Sequence, residues 1–379
     1  MPGGVMAKLD AYIDWVTTSA LPVWAERGFD RANGRFHERL DSAGQPIGVP
    51  HRAMVQARQI FVFAHAAAEG WSNDGGALAE AAMARLLRDF AAEDGDQTFF
   101  TFAIDPASGL VVDDRRDAYA HAFILFALAA LYRLNGDAGL LAIADRTIRF
   151  VEQSLTDVVH GGLFDALPVP AEKRQNPHMH LLEAYLFLAQ AAPGRGYEER
   201  ASALVALARR HFLREGVLIE YFTPDWSVAR AEWEPGHHFE WVWLLAEYGA
   251  LTGDDSATEM ELLYRRAALQ GVAADGLLID ALAPDGTVLK PSHRVWPHSE
   301  AIKAAAVRGD PAFAEAMAAN LMRRFLDRPF AGGWIDHVTP EGTPLVDHVP
   351  ASTLYHLVLA ASVAAKHFAA APRLAKAVS

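Results

Sequence analysis

Two kinds of helical pattern alternate along this chain. In one, apolar residues recur every three or four positions with polar residues between them, as in Ala77 to Ala91 and Ala201 to Phe212, which marks a helix with one buried face. The other is apolar on nearly every side yet carries His, Trp, Glu or Arg at its N-terminal end, and a helix that is apolar all round is buried. Together they predict twelve helices, over residues 6–26, 52–69, 74–92, 117–134, 137–156, 176–191, 196–213, 236–251, 255–271, 294–308, 311–326 and 351–369. The odd ones are amphipathic and the even ones apolar. Asn135-Gly136 closes the fourth, Pro177 falls in the first turn of the sixth, and Asn73-Asp74 and Thr252-Gly253-Asp254 are placed to cap the third and ninth.

Glycine-headed hairpins separate the helix pairs at intervals of about 60 residues. Gly276 to Thr287 and Gly333 to Thr343 are near copies; weaker copies start at Gly34, Gly162 and Gly216, and a degenerate one spans Thr98 to Leu110. One such unit cannot bury its own apolar face well, so the units must share a core. The expected fold is all-α: one catalytic domain over residues 1–379, an (α/α)6 barrel with the odd helices outside and the even ones inside. Short β-hairpins join the repeats at one face. The N-termini of the inner helices converge there, and His180, His237, Trp296 and His356 are read as sharing one phase of the repeat.

Composition narrows the chemistry. A hydrophobic content of 51% is ample for a large shared core. With 34 Lys+Arg against 47 Asp+Glu the net charge is −13, and an acidic chain without a basic stripe is a poor partner for nucleic acid or an anionic membrane. The absence of cysteine removes disulfides, thiolate metal sites and a Cys nucleophile, and fits a reducing, cytoplasmic setting. Met1 to Asp10 has no apolar stretch of a secretion signal, and the longest apolar run, Ala122 to Tyr132, is short for a membrane span.

The candidate chemistry lies at the inner-helix starts. His237 and Glu240 are three residues apart and share a helix face, where a carboxylate sets an imidazole's tautomer and raises its pKa. His356 opens the last inner helix two units on, so the two imidazoles can face one cavity and each exchange a proton near neutral pH. Asn176 and His180 form an i, i+4 pair, with His178 pointing elsewhere. The same residues read blandly as capped helix starts and hydrogen-bonded core histidines. Arg52 offers a fork of donors for hydroxyls or an oxyanion, or is simply a solvated helix-start arginine. Tyr119, Trp296 and Glu300 add aromatic faces and a carboxylate, the combination that holds sugars. No metal is expected: the rings of a helical His-x-His diverge by about 200°. Phosphate loops, dinucleotide fingerprints and nucleophile elbows are absent from the sequence.

These residues resemble the N-acylglucosamine 2-epimerase superfamily. Arg52 with Gln56, Asn176 with His180 and Glu183, Gly236-His237 with Glu240-Trp241, Trp296 with Glu300, and Tyr355-His356 occur in that family's order along essentially the whole chain. The resemblance implies cofactor-independent sugar epimerases and aldose–ketose isomerases, with His237 and His356 as the acid/base pair and His180, Arg52 and Glu240 supporting them. The ending Pro350-Ala351-Ser352-Thr353-x-Tyr355-His356 looks like the mannose isomerase branch, close to sulfoquinovose isomerase. Cellobiose 2-epimerases typically carry a Trp where Ala351 stands, so the resemblance implies a monosaccharide.

The expected activity is therefore interconversion of D-mannose and D-fructose through an enediol, without cofactor. His356 is assigned the C2 proton and His237 the ring opening, with the reverse assignment open. A 2-epimerase is the first alternative and a non-catalytic glycan-binding scaffold the alternative of another class. A hydrolase ranks behind the epimerase, because the mouth offers histidines rather than paired aspartates. The sequence leaves room for a homodimer.

Overall fold

The computed structural model describes residues 6–368. Among them, twelve helices lie where the periodicity predicts: α1 (7–26), α2 (Ala53–Ala68), α3 (Gly75–Phe90), α4 (Ala118–Asn135), α5 (138–155), α6 (Gln175–Ala191), α7 (197–212), α8 (Pro235–Thr252), α9 (Ala257–Gln270), α10 (Trp296–Arg308), α11 (Pro311–Arg324) and α12 (351–368). Three outer helices contain a π-helical turn, Val16–Ala20 in α1, Val151–Leu155 in α5 and Ala208–Phe212 in α7. Helix α12 opens with a 3-10 turn, Ala351–Thr353. Residue 369 of the last predicted helix lies outside the described residues, as do residues 1–5 of the segment read for a secretion signal.

The departures are local. Helix α10 starts two residues late because His293–Arg294 pairs as a strand with His337–Val338. The ninth helix is not capped by Asp254, whose carboxylate is taken by Arg209 (2.6 Å) and the Ser256 hydroxyl (2.7 Å); it starts at Ala257 instead. Asp74 stands at the N-cap position of α3, but accepts from the Ser72 hydroxyl rather than from a helical N–H. Gly136 closes α4 with φ +71°, as expected.

The even helices form the inner ring of an (α/α)6 barrel; α2 is buried at every position from Ala53 to Ala66. Helix α4, with a mean hydropathy of 1.2 over 18 residues, is the one helix among the described residues long and apolar enough to cross a membrane. Counting an uninterrupted apolar run missed this. Of its residues, 72% are buried inside the protein, as in a core helix. Strands close the ring. The strand before each inner helix links to the next repeat's hairpin: His51–Arg52 to Ala103–Ile104, Arg116–Asp117 to Ala166–Leu167, Lys173–Arg174 to Tyr221–Phe222, and His293–Arg294 to His337–Val338. A bridge from Trp233 to Leu282 supplies the fourth link. The last, Val349–Pro350 to Arg39–Leu40, returns to the first repeat.

Two side-chain devices fix the inner-helix starts. In five repeats a glycine with positive φ is followed four residues later by a carboxylate: Gly34 and Glu38, Gly161 and Asp165, Gly216 and Glu220, Gly276 and Asp280, Gly332 and Asp336. Glu38, Asp165 and Asp280 accept from the backbone N–H of Arg52 (3.1 Å), Arg174 (3.0 Å) and Arg294 (3.0 Å), and each also pairs with that residue's guanidinium. The second device is a buried histidine. Nδ1 of His121, His178, His238 and His298 lies 2.7–3.2 Å from the carbonyl oxygen four residues back. Nε2 accepts from the hairpin N–H of Phe100, Leu163, Leu218 and Leu278, respectively. In the first repeat Gln56 stands at this position and holds the hairpin alone, accepting from Phe36 N–H (3.0 Å) and donating to its C=O (2.8 Å) rather than to the carbonyl four residues back. This geometry needs a neutral ring protonated on Nδ1. Burial favours that form, lowering the pKa to about 4 in His121, His178 and His298 and about 3 in His238.

Candidate active site

The inner-helix starts surround a cavity of about 340 Å³. Its side chains come in two tiers. The residues before the inner-helix starts are Arg52, Asp117, Arg174, Glu234, Arg294 and Pro350; six positions further on stand Arg58, Phe123, His180, Glu240, Glu300 and His356. Two positions on stand Tyr119, Asn176, Trp296 and Ser352, with His237 third in its helix. Positions two and six are one turn apart on the same face. So the single phase read from the sequence is two depths: His180 and His356 lie a turn deeper than Trp296 and His237.

Seven of the nine expected residues line the cavity: His237, His356, Tyr119, Asn176, His180, Glu240 and Trp296. Arg52 does not. It ends the incoming strand, and its backbone N–H and Nε are both bound to Glu38. The guanidinium that this helix places in the cavity is that of Arg58, which donates to Tyr119 Oη and to the Ser352 carbonyl (2.9 Å). Glu300 stands behind the lining, bound through Oε1 to His356 Nδ1 at 2.7 Å.

Glu240 is also not the partner of His237. Helical side chains lean toward the N-terminus, so His237 reaches the hairpin above it, with Nδ1 2.9 Å from Glu220 Oε1 and 3.8 Å from Glu234 Oε2. Burial alone would lower its pKa, but these two carboxylates carry it to about 9. His356 is set the other way. Burial, and then the charges of Arg58 and Lys303, hold it well below the ordinary imidazole value. Trp296 lies between them, its ring centroid 5.0 Å from His237 and 5.3 Å from His356. Two titratable groups with pKa values pushed apart are suited to acid and base work. Asn176 Nδ2 lies 3.2 Å from His237 Nε2; when both ring nitrogens are protonated the amide has to turn over so that its oxygen accepts from Nε2–H and its NH2 faces the cavity.

Beneath the cavity, His180 Nδ1 lies 3.0 Å from Glu183, and burial, opposed by Glu240, lowers its pKa to about 3. Tyr355 Oη donates to Glu183 (2.9 Å) and Glu240 (3.3 Å). Burial raises the Glu183 pKa to about 7. Glu240 Oε2 is buried without a partner among the described residues and belongs to a cavity-lining side chain. Two groups, His180 with Glu183 and Glu240, and Glu240 with Glu300 and His356, bring ligand atoms within 4.8 Å of one another, close enough to hold a cation. Arg58 and Lys303 already act on these groups electrostatically, which weakens attraction for a metal ion. Carboxylates are therefore closer to the histidines than the sequence reading allowed, Glu240 in the cavity lining and Glu300 behind it.

The N-acylglucosamine 2-epimerase (GlcNAc 2-epimerase) family model matches residues 34–360. The chain belongs to the N-acylglucosamine 2-epimerase family. Among curated members, it is 32% identical over 370 residues to a mannose-6-phosphate isomerase of Rhizobium meliloti (strain 1021), covering 91% of this chain and 94% of that one. It is 32% identical over 340 residues to a D-mannose isomerase of Thermobifida fusca, covering 78% and 80%. Among solved structures, cellobiose 2-epimerase from Spirochaeta thermophila DSM 6192 superposes with a TM-score of 0.86 at 23% identity, covering 97% of this chain and 98% of that one. That last likeness is one of fold.

The sequence reading missed Arg58, Glu220 and Lys303, and of the lining also Arg174, Tyr221, Glu234, Arg294, Asp336, Ser352 and Thr353. Signals for the first two were present: Arg58 holds the same repeat position as His180 and His356, and Glu220 follows its hairpin glycine by the same four residues as the other carboxylates.

Proposed function

We propose that this family member is an aldose–ketose isomerase acting on a free monosaccharide, D-mannose to D-fructose, without a cofactor, in the cytoplasm, and that the chain works as a single catalytic domain. The family and its relatives make it a sugar isomerase or epimerase. The observation that carries the finer reading is the pair of oppositely set imidazoles on either side of Trp296. His237, as an imidazolium, delivers a proton to O5 and becomes neutral while the O1–H proton passes to solvent water, the C1–O5 bond breaks and the ring opens. His356 Nε2 then takes the proton from C2; the C–H electrons form the C1–C2 double bond, and charge moves onto O1. Arg58 and the Tyr119 hydroxyl stand ready for that oxyanion. His356 returns the proton to C1 while the O2–H proton passes to the now neutral His237 and from it to O1, so that O2 becomes the ketone oxygen.

The same pair would serve a 2-epimerase, with His237 reprotonating C2 from the other face. Ala351 favours isomerisation of a single sugar: it is fully buried, with its N–H and C=O bound to Glu38 and Gln59, and presents no stacking ring. An uncharged sugar is preferred over a sugar phosphate. The mouth guanidiniums are already paired, Arg174 with Asp165 and Arg294 with Glu234 and Asp280, and a phosphate would meet Glu234 and Asp336 in the lining.

Turnover of D-mannose in D2O tests the reading. Fructose carrying deuterium at C1 is expected as the main early product, with mannose 6-phosphate a poor substrate. Glucose labelled at C2 as the main early product would make the protein an epimerase, and unchanged sugar would leave a binding scaffold.

A further inference from the structure

A lysine with no exposure to solvent lies one turn below the cavity floor. Lys303 Nζ is 2.7 Å from Glu300 Oε2, and both side chains are 0% exposed. The other oxygen of Glu300 is bound to His356 Nδ1 at 2.7 Å. The three groups form a line, ammonium to carboxylate to imidazole, that ends at the cavity. Lys303 Nζ also sits 3.9 Å from the Trp243 ring centroid, and among the described residues neither Nζ nor Glu300 Oε2 has a partner that meets hydrogen-bond geometry, so the two are held as an ion pair.

We propose that Lys303 is a positioning residue, which keeps Glu300 a carboxylate so that Glu300 fixes His356 as the tautomer with its Nε2 lone pair toward the cavity. The proposal rests on the reading of His356 as the base. Glu300 is packed among charged and titratable groups from every side: Glu240 on α8, Glu183 on α6, Tyr12 on α1, and Tyr355 and His356 on α12, with Lys303 on its own helix; Arg58 on α2 acts on His356 and Tyr355 from the opposite wall. Burial and then Glu240 push the Glu300 carboxyl well above the usual carboxylate range, and Lys303 is the cation that opposes them, so without it Glu300 takes up a proton. A protonated Glu300 would donate to His356 Nδ1 instead of accepting from it. The ring proton would then sit on Nε2, and no lone pair would face the sugar.

The comparison with His237 supports this. That imidazole faces two carboxylates, Glu220 and Glu234, and belongs to the charged state. His356 also has a carboxylate on Nδ1, but Lys303 stands behind that carboxylate and draws off part of its field. The imidazole therefore remains neutral while keeping its orientation.

The experiment combines nitrogen NMR of 15N-histidine-labelled protein with kinetics on D-mannose. In the wild type, His356 is expected to show an unprotonated Nε2 at neutral pH. In Lys303→Met the unprotonated nitrogen should become Nδ1, and kcat should fall about 100-fold with KM little changed. That loss should shrink as pH rises and Glu300 ionises, over a range where the wild-type rate is flat. Glu300→Gln/Lys303→Met should be no slower than Glu300→Gln, because Lys303 acts only through Glu300. A wild-type His356 protonated on Nε2, a Lys303→Met enzyme with unchanged tautomer and a pH-independent deficit, or a double variant slower than Glu300→Gln would each overturn the proposal. If Lys303→Met does not fold, the wild-type tautomer and the Glu300→Gln comparison still decide. The tautomer can be read without turnover, so failure to isomerise mannose would sink the functional reading alone.

Discussion

Replacing His237 or His356 by alanine should lower kcat at least about 100-fold while the fold persists, since a positioned acid or base contributes ~10²–10⁴; near-wild-type rates in both variants would make them structural histidines. Their opposite settings also fix the pH profile. With the His237 pKa at about 9, activity that needs its imidazolium should fall above that pH. Glu220→Gln removes an anion that stabilises the imidazolium, so the pKa drops and the alkaline fall should begin at lower pH, by one unit or more. A limb that stays in place would mean that Glu220 does not set His237. Activity should also survive exhaustive EDTA treatment, because the two candidate cation groups already have Arg58 and Lys303 beside them. Loss with EDTA and recovery with a divalent ion would reverse that assignment. At this scale the sequence named seven of the fifteen residues that line the cavity, both central histidines among them. It chose Arg52 over Arg58 because a helix start is recognisable in a sequence, whereas the turn that faces a cavity is not.

The inner helix with its hairpin is the next unit, and the buried histidines pinning it carry a prediction about acid stability. His298 has a folded pKa of about 4 against an ordinary 6.5, so between those values the unfolded chain holds more protons. Stability is therefore full above about pH 6.5 and declines as pH falls toward about 4, with His121, His178 and His238 acting in the same direction. The first repeat shows a neutral substitute, Gln56, which keeps the bond from the hairpin N–H and turns its donor to the hairpin carbonyl. His298→Gln should fold, and its urea midpoint should fall less steeply with acid, by up to one proton or about 1.4 kcal/mol per pH unit. An unchanged slope would show that His298 does not titrate on unfolding. The sequence displayed these histidines but did not sort them. His178 and His180, or His237 and His238, are neighbours in the chain, and a turn of about 100° per residue sends one to the hairpin backbone and the other to the cavity.

For the whole molecule, the first outer helix meets the last repeat. Helix α1 has no side-chain cap of its own; the Glu315 carboxylate, on α11, accepts from the N–H groups of Lys8 (2.8 Å) and Leu9 (2.9 Å). Tyr12 Oη donates to the Leu357 carbonyl at 2.6 Å, tying α1 to the innermost part of α12. Glu315→Ala should cost about 1 kcal/mol of unfolding free energy, as the loss of a helix cap does, with kcat unchanged. A urea midpoint equal to wild type would mean that the seam is held by apolar packing alone.

The helices, their inner and outer character, the hairpins and the sixfold repeat were legible in the sequence, because each depends on periodicities within one or two turns of chain. The identity of seven of the fifteen cavity-lining residues followed, since they stand at the starts of apolar helices. Depth and partnership did not follow. Which turn of α2 faces the sugar depends on five other helices; the Arg58 guanidinium is fixed by Ser352, 294 residues away, and Tyr355 finds Glu183 at a separation of 172. The protonation of His237 and His356 depends on carboxylates and cations brought from other elements. Residue type is local information, but burial and the electric field at an imidazole are sums over everything that the closed ring places around it.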